Sequence, residues 1–367
     1  MTRERLRGGC AITLALFALA SCATVPPPSL RQLSQLPGWS ADTTFNAFPA
    51  LSRSCAVIAT LSAEKPAALG GSPTEWREGC AAIDGLKAAL TADQDAALRN
   101  VLAAHFVALD PGAGNNALIT GYYEPLLDGS RVQNATHPYP LYRLPPDPTR
   151  FDRAEIDAGA LANQKLELLW VSDPVDAFFL QVQGSGRVRL GDGSIVRVGF
   201  AGTNERPYVS IGREMVDAGI MTKEEVSLAT IRAYLAAHPG EVMDWLHRNP
   251  RFVFFRDLGR SDDTGPIGAL NVPLTPGRSV AVDPEFVSLG LPLWLNTTRP
   301  DTGAPLQRLV VAQDKGGAIK GAGRIDLFWG AGQEAEQLAG EMKQPGQYWI
   351  IMPRAVGERW LAQQAGY

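Results

Sequence analysis

Apolar positions along this chain follow two successive patterns. Between residues 40 and 110 they recur at helical spacing, with Leu98, Val101, Leu102 and Phe106 forming one stripe. Thr91-Ala-Asp-Gln94 ahead of that stripe has the form of a capping box. From Ala117 the apolar runs shorten and become β-like, over Ala117–Tyr123, Ala177–Gln183 and Ser194–Gly199. A helical interlude follows, over Ser210–Asp217 and again from a second capping box at Thr222-Lys-Glu-Glu225, ending near His238-Pro239-Gly240. Short strands then resume at Phe252–Phe255, Ser279–Asp283, Leu291–Leu295, Leu309–Ala312 and Gln347–Met352. Many short strands between Gly/Pro turns predict barrels rather than a doubly wound sheet. There is no internal repeat and no heptad pattern. The roughly 345 residues beyond the leader exceed one comfortable hydrophobic core, so two domains are expected.

The chain opens Met-Thr-Arg3-Glu-Arg5-Leu-Arg7, runs apolar from Cys10 to Ala20, and reaches Leu19-Ala20-Ser21-Cys22. A basic start, a short apolar core and small residues make residues 1–21 a secretory signal, too short for a stable membrane span. A cysteine directly after Leu-Ala-Ser fits a lipoprotein box, with Cys22 as the acylated first residue of the mature chain. The alternative is an ordinary signal peptide cut at the same small residues. Ala23, where an Asp would retain the protein at the inner membrane, points to the periplasmic face of the outer membrane, anchored in its inner leaflet. Residues 22–40, with Pro26-Pro27-Pro28, read as a lipid-anchored tether.

Charge and cysteine usage agree with export. The formal charge is −4, and the leader, with three Arg and one Glu, carries +2, so the mature chain is near −6. That is no footprint for nucleic acid. With Cys10 removed and Cys22 acylated, Cys55 and Cys80 remain. In an oxidising compartment they read as one disulfide, worth about 3 kcal/mol through loop closure, or else as two buried free thiols.

The stretch richest in chemistry runs from Val310 to Gly330. Two apolar runs, each with an embedded Asp (Asp314 and Asp326), flank a linker containing Gly316, Gly317, Gly321 and Gly323. An Asp in or beside a buried strand is costly unless it is paired, hydrogen-bonded or protonated. Asp314 precedes Lys-Gly-Gly and is equally readable as a turn former. Asp326 has no turn residue beside it. Alternation places it opposite Ile325 and Leu327, on the same face as Phe328. A carboxyl beside aromatic surface has the setting that raises a pKa towards general-acid range.

Missing motifs narrow the chemistry further. None of His105, His137, His238 and His247 has metal-ligand spacing, and there is neither a P-loop nor a nucleophile elbow. No cofactor and no metal are expected. Gly184-Ser185-Gly186 is either a tight hairpin or a loop facing a ligand.

Several segments, taken as an ordered set over residues 50 to 355, resemble the membrane-bound lytic murein transglycosylase A family. They are Thr120-Gly-Tyr-Tyr-Glu-Pro125, Phe179 to Gly186, Gly199 to Gly212, Asn249 to Phe255 and the stretch with the paired aspartates. The resemblance implies a mainly β protein with helical elements. Residues 41–125 and 256–367 would form a double-psi β-barrel domain with N-terminal helices. Residues 126–255 would form a smaller inserted β-barrel domain, with a glycan groove between the two. Asp283, Asp314 and Asp326 match the family's three-aspartate pattern, and its catalytic acid falls on Asp326. Thr120 matches a substrate-contacting threonine, while Glu124 stands where other members carry Thr. The family often has His-Phe before the catalytic Asp, where this chain has Arg324-Ile325.

The chemistry implied is non-hydrolytic cleavage of the β-1,4 MurNAc-GlcNAc bond of peptidoglycan. Such cleavage needs a protonated acid at the leaving oxygen and support for an oxocarbenium-like state. A tethered muramyl C6 hydroxyl then replaces water as nucleophile, making attack effectively unimolecular and the product 1,6-anhydro-MurNAc. One aspartate, Asp326, suffices as acid and then base, with Asp314 raising its pKa if close. Asp283, in Val-Asp-Pro, is expected to be a supporting turn residue. Gln183, Gly184, Ser185 and Tyr122 are the expected sugar contacts; Tyr122 and Tyr123 serve equally well as core. The expected partners are peptidoglycan strands, the membrane leaflet that holds the anchor, and wall-remodelling proteins. Two other classes fit the same residues. One is a two-carboxylate hydrolase in which Asp314 or Glu124 positions water, and the other is a non-catalytic, expansin-like wall-binding module.

Overall fold

Closure of a six-stranded barrel organises the chain. The computed structural model describes residues 27–61, 71–87, 93–112, 116–260 and 265–365. Cys22 and Thr91 lie outside the described residues. The N-terminal part contributes β1 (Ser29–Arg31), three helices α1 (Phe48–Thr60), α2 (Pro73–Gly85) and α3 (Gln94–His105), then β2 (Phe106–Asp110) and β3 (Ala117–Glu124). An inserted region follows. It holds β4 (Leu126–Ser130), β5 (Tyr139–Tyr142), α4 (Arg153–Asp157), β6 (Glu167–Val171), α5 (Pro174–Gln183), β7 (Ser185–Leu190) and β8 (Ile195–Thr203). It continues through α6 (Ile211–Asp217), α7 (Leu228–Ala237), α8 (Val242–His247) and β9 (Val253–Arg260). The chain then returns to the first sheet with β10 (Ser279–Val282), β11 (Pro292–Thr298), β12 (Pro305–Asp314), β13 (Arg324–Ala331), α9 (Gln333–Glu341), β14 (Lys343–Pro353) and α10 (Arg354–Ala365).

The first sheet runs β1-β2-β14-β11-β12-β10-β13-β3, and β3 pairs back onto β14. β14 is long enough to serve three neighbours. Lys343–Gly346 pair with β3, residues 347–350 with β11, and Ile350–Pro353 with β2. Closure removes the exposed edges that an open sheet would present. β10 and β12 are parallel, as are β3 and β13, and the remaining pairs are antiparallel. Ile119, Ile325, Leu327, Val280, Leu293 and Val310 fill the interior at 0% exposure. Burying each such side chain contributes about 1.5–3 kcal/mol. Outside the barrel, α1 and α2 are joined by a Cys55–Cys80 disulfide with a Cα–Cα distance of 5.4 Å.

The second sheet has the order β5-β6-β4-β7-β8-β9, with β5 and β9 approaching each other over a shared core of Leu141, Leu169, Val198, Val253 and Phe255. Helices α5 to α8 form a small cluster of their own around Phe178, Met215, Leu235 and Trp245. Where β3 leaves the barrel, Glu124 is 1% exposed and pairs with Arg187 on β7 at 2.8 Å and Arg197 on β8 at 3.0 Å. This buried ion pair fastens one sheet to the other. Among the described residues no helix is long and apolar enough to cross a membrane.

Several elements differ from the sequence expectation. Ala177–Gln183, expected as a strand, lies in α5. Asp173 caps the helix by accepting from Val175 N–H at 2.7 Å, Pro174 occupies its first turn, and Gly184 ends it at φ 77°. Ala177, Phe178, Phe179 and Leu180 are all buried, because α5 is covered by the sheet on one side and the helical cluster on the other, which erases the polar face. Phe106, expected on a helical stripe, begins β2, and Asp93 is the cap of α3. The Thr222/Glu225 box forms both of its hydrogen bonds but closes only a turn. The helix starts after Ser227, which forms its own box with Thr230. Residues 29–40 are not tether: β1 pairs with β2, and Leu33, Leu36 and Trp39 are buried against the barrel.

Candidate functional site

Five strands each bring one residue to a single lateral row. Ala281 on β10 pairs with Asp314 on β12 on one side and with Asp326 on β13 on the other. Asp326 pairs in turn with Thr120 on β3, and Thr120 with Lys343 on β14. Paired positions share a face. Adjacent strands lie about 4.8 Å apart, so the backbones of the two aspartates sit about 10 Å apart across the sheet, with the small side chain of Ala281 between them.

Each carboxylate has a distinct set of partners. Thr120 Oγ1 donates to Asp326 Oδ1 at 2.6 Å. Asp314 Oδ1 accepts from the N–H groups of Ala269 and Lys315, both at 2.9 Å, and its Oδ2 accepts from the Tyr122 hydroxyl at 3.0 Å. Tyr122 lies two residues along β3 from Thr120 and packs its ring 5.2 Å from that of Phe328. Phe328 in turn shares a strand face with Asp326, as alternation predicts. Asp314 is therefore immobilised through both oxygens, whereas Asp326 is held through one. Asp326 Oδ2 makes no hydrogen bond among the described residues, and the residue retains partial exposure.

Burial is the main cause that lifts the Asp326 carboxyl from 3.8 to about 6. The Thr120 hydroxyl and the Arg324 charge pull it down, and the Asp314 carboxylate adds a smaller upward push. The tuning by Asp314 expected from sequence is thus present but secondary to desolvation. Burial also raises Asp314 itself, against the pull of its two backbone N–H donors and Tyr122. The Tyr122 hydroxyl is held well above its ordinary value by burial first, then by the charges of Asp314 and Asp326. It therefore stays protonated and keeps donating.

Other sequence-predicted residues fall at varying distances from this centre. Asp283 sits just past β10 and accepts from Gly321 N–H at 2.8 Å and Glu285 N–H at 3.3 Å. The Gly321 donor holds its carboxyl below the usual range. It ties the glycine-rich linker between β12 and β13 back to the barrel. Gln183, at the end of α5, accepts from the Tyr123 N–H through Oε1 at 3.2 Å, which brings the insert up to β3. Gly184 is the left-handed residue after α5, and Ser185 opens β7 opposite Gly199, so this is a helix-to-strand corner rather than a hairpin. Tyr123 is 3% exposed and donates to Glu336 at 2.9 Å, so it belongs to the packing against α9. Glu124 is committed to its two arginines and is not available to position water. Arg324 was not singled out for a role: its Nη2 lies 3.5 Å from Thr120 Oγ1, and its buried Nε has no partner among the described residues. The His-Phe to Arg-Ile departure was the available signal.

Two family models match stretches of this chain. Residues 118–256 match the MltA specific insert domain and residues 278–352 match the 3D domain. The chain is 30% identical to a membrane-bound lytic murein transglycosylase from Agrobacterium tumefaciens, superposing with a TM-score of 0.80 over 91% of this chain and 99% of that one. The chain belongs to the MltA family. An Escherichia coli MltA solved with bound chitohexaose is 30% identical, with a TM-score of 0.71 over 90% of this chain and 95% of that one. The membrane-bound lytic murein transglycosylase A of Vibrio cholerae is 36% identical over 247 residues, which span 64% of this chain and 65% of that protein's length. Within the MltA frame, the 3D-domain match contains Asp283, Asp314 and Asp326, and the insert match contains Thr120, Tyr122 and Gln183. Membership also accounts for the mainly β architecture, with its closed barrel and second sheet.

Proposed function

We propose that this chain is a lytic transglycosylase that cleaves the β-1,4 MurNAc-GlcNAc bond of peptidoglycan with Asp326 as its single acid and base. The observation that carries the assignment is the state of Asp326: a carboxyl lifted to about 6, held by Thr120 through one oxygen only. The other oxygen, Oδ2, carries the proton towards the glycan. Protonation of the bridging O4 lets the C1–O4 bond break, leaving an oxocarbenium-like sugar and an Asp326 carboxylate. The C6 hydroxyl of the same sugar then attacks C1, and its proton returns to Asp326. One O6–C1 bond replaces the C1–O4 bond, no water is consumed, and the acid is regenerated.

The surrounding groups suit that cycle. Thr120 and the Arg324 charge favour the carboxylate that forms midway, while burial favours the acid that starts it. Balance between the two keeps the pKa within working range. Asp314, fixed through both oxygens, acts on the site by holding Tyr122 and the loop at Ala269, which argues against its use as the water-activating base of a hydrolase. The free NH₂ of Gln183 and the Ser185 hydroxyl are the insert's contacts to the glycan, a reading supported by the place of Gln183 at the junction of α5 with β3. Release of soluble anhydro-muropeptides from purified sacculi tests the assignment. Its absence from folded protein would leave the wall-binding module in its place.

Cys22 is proposed as the acylated residue that anchors the enzyme at the periplasmic face of the outer membrane, on the basis of the Leu-Ala-Ser-Cys sequence behind a basic, apolar leader. Radiolabelled fatty acid should enter the wild-type chain and not Cys22→Ala. Equal labelling of both would remove the anchor.

A further inference from the structure

A cavity of about 390 Å³ lies not at Asp326 but within the insert, between α4, α5 and α8 and strands β5 and β6. That volume falls in the range that holds a small ligand. Its floor is Arg153, 3% exposed and fixed from several directions. Nε donates to Asn249 O at 2.9 Å, and Nη2 to Gln181 Oε1 at 2.7 Å and to Arg251 O at 2.6 Å. The guanidinium lies between the rings of Phe178 and Phe252, at 4.7 and 5.2 Å. Its Nη1 makes no hydrogen bond among the described residues and is not sealed from solvent. A charge held this rigidly, with one nitrogen left to the cavity, is a prepared anion contact.

The opposite charge lines the same space. The Glu167 side chain makes no hydrogen bond or ion pair among the described residues, and the Asp157 carboxylate meets His247 at 3.2 Å and lies in the field of Arg153. Both carboxylates act on the Tyr142 hydroxyl, which burial and their charges push up to about 12, so both face the region around that ring. Tyr139, Trp170 and Pro140 supply apolar wall. A cationic corner and an anionic corner joined by aromatic surface suit an amino-acid-like ligand that carries a carboxylate and an ammonium.

We propose that this cavity binds the stem peptide of peptidoglycan, with the peptide carboxylate on Arg153 and its side-chain ammonium between Asp157 and Glu167. The proposal rests on the peptidoglycan reading of the chain. Distance favours a stem over an unrelated protein tail. The cavity face of α5 carries Pro174, Ala177, Phe178 and Gln181, while Gln183, at the same helix's end, meets β3 at Tyr123, three residues along the strand from Thr120. The two lie on opposite faces of a helix about 10–12 Å across. A peptide of four or five residues extends about 13–18 Å, enough to pass round the helix end from a sugar in the groove.

The test is calorimetric titration of the full chain with a soluble stem peptide that contains a diamino acid and a free C-terminal carboxylate. Binding is expected, with affinity falling at least ~10-fold when the carboxylate is amidated, when the side-chain amine is acetylated, or in Glu167→Gln and Trp170→Ala. These surface-side variants leave Arg153, and hence the fold, intact. Turnover of stem-free glycan should be unchanged in both. Equal affinity for the amidated or acetylated peptide would overturn the proposal. Unchanged binding by both variants would do the same. Because binding is read without cleavage, a chain that cuts glycan yet ignores the peptide refutes only this inference, whereas a chain that binds the peptide and cuts nothing refutes the enzymatic assignment alone.

Discussion

Replacing Asp326 by Asn should destroy activity and stabilise the protein, and the two effects have one cause. Asn keeps the carbonyl oxygen that accepts the 2.6 Å hydrogen bond from Thr120, and removes the charge that burial penalises. The folded carboxyl sits at about 6 against 3.8 in the unfolded chain, an interval of about two units. Each unit is worth about 1.4 kcal/mol, so the ionised wild type carries about 3 kcal/mol of strain that the amide relieves. The sign follows from linkage: a carboxyl raised on folding gives stability below 3.8 that is lost as pH rises towards 6. The variant's advantage should therefore be absent at pH 3.5, grow between pH 4 and 6, and level off near pH 7. Denaturant unfolding at a series of pH values measures it, alongside turnover on sacculi, which should fall about 10²–10⁴-fold. An advantage that is missing at pH 7, or that does not change with pH, would refute the reasoning about desolvation. Wild-type turnover in the folded variant would refute the role of Asp326.

Further outcomes follow from individual contacts. Arg324→Gln removes a charge that lowers the Asp326 carboxyl, so the alkaline limb of the kcat profile should move to higher pH; an unmoved or lowered limb would contradict that placement. Glu124→Gln removes the buried charge that Arg187 and Arg197 share and should cost about 3–5 kcal/mol in urea unfolding, whereas a loss below ~1 kcal/mol would mean that Glu124 is not what fastens the junction. Cys55→Ser opens the link between α1 and α2 and should cost about 3 kcal/mol without altering the pH profile of cleavage, since neither cysteine is among the groups that set the Asp326 carboxyl; a shifted profile would tie the helices to the site.

How much of this was legible in the sequence depends on whether the determining contacts are local. Asp326 was readable because its neighbours on one strand, Ile325, Leu327 and Phe328, fix its face by alternation. Its partner was not, because Thr120 lies 206 residues away and meets it only through the β3–β13 register. The same holds for Tyr122 and Asp314, 192 residues apart, and for the placement of Ala281 between the two aspartates. Residues 29–40 were read through Pro26-Pro27-Pro28, which outweighed the buried anchors Leu33, Leu36 and Trp39. For α5, a helix covered on two sides loses its amphipathic period, yet its end signals, Asp173-Pro174 and Gly184, were intact and outweighed by the apolar run. The insert's cavity could not be anticipated, since Arg153, Asp157, Glu167 and Phe252 meet only through folding.

The claim that most needs a direct measurement is that a sugar hydroxyl, not water, completes the reaction. Purified sacculi would be digested in water labelled with heavy oxygen and the soluble products weighed by mass spectrometry. The account predicts 1,6-anhydro-muropeptides, each lighter than its hydrolysed counterpart by one water and free of the label, with none from Asp326→Asn. Products with free reducing ends carrying the heavy oxygen would contradict it and establish hydrolysis instead.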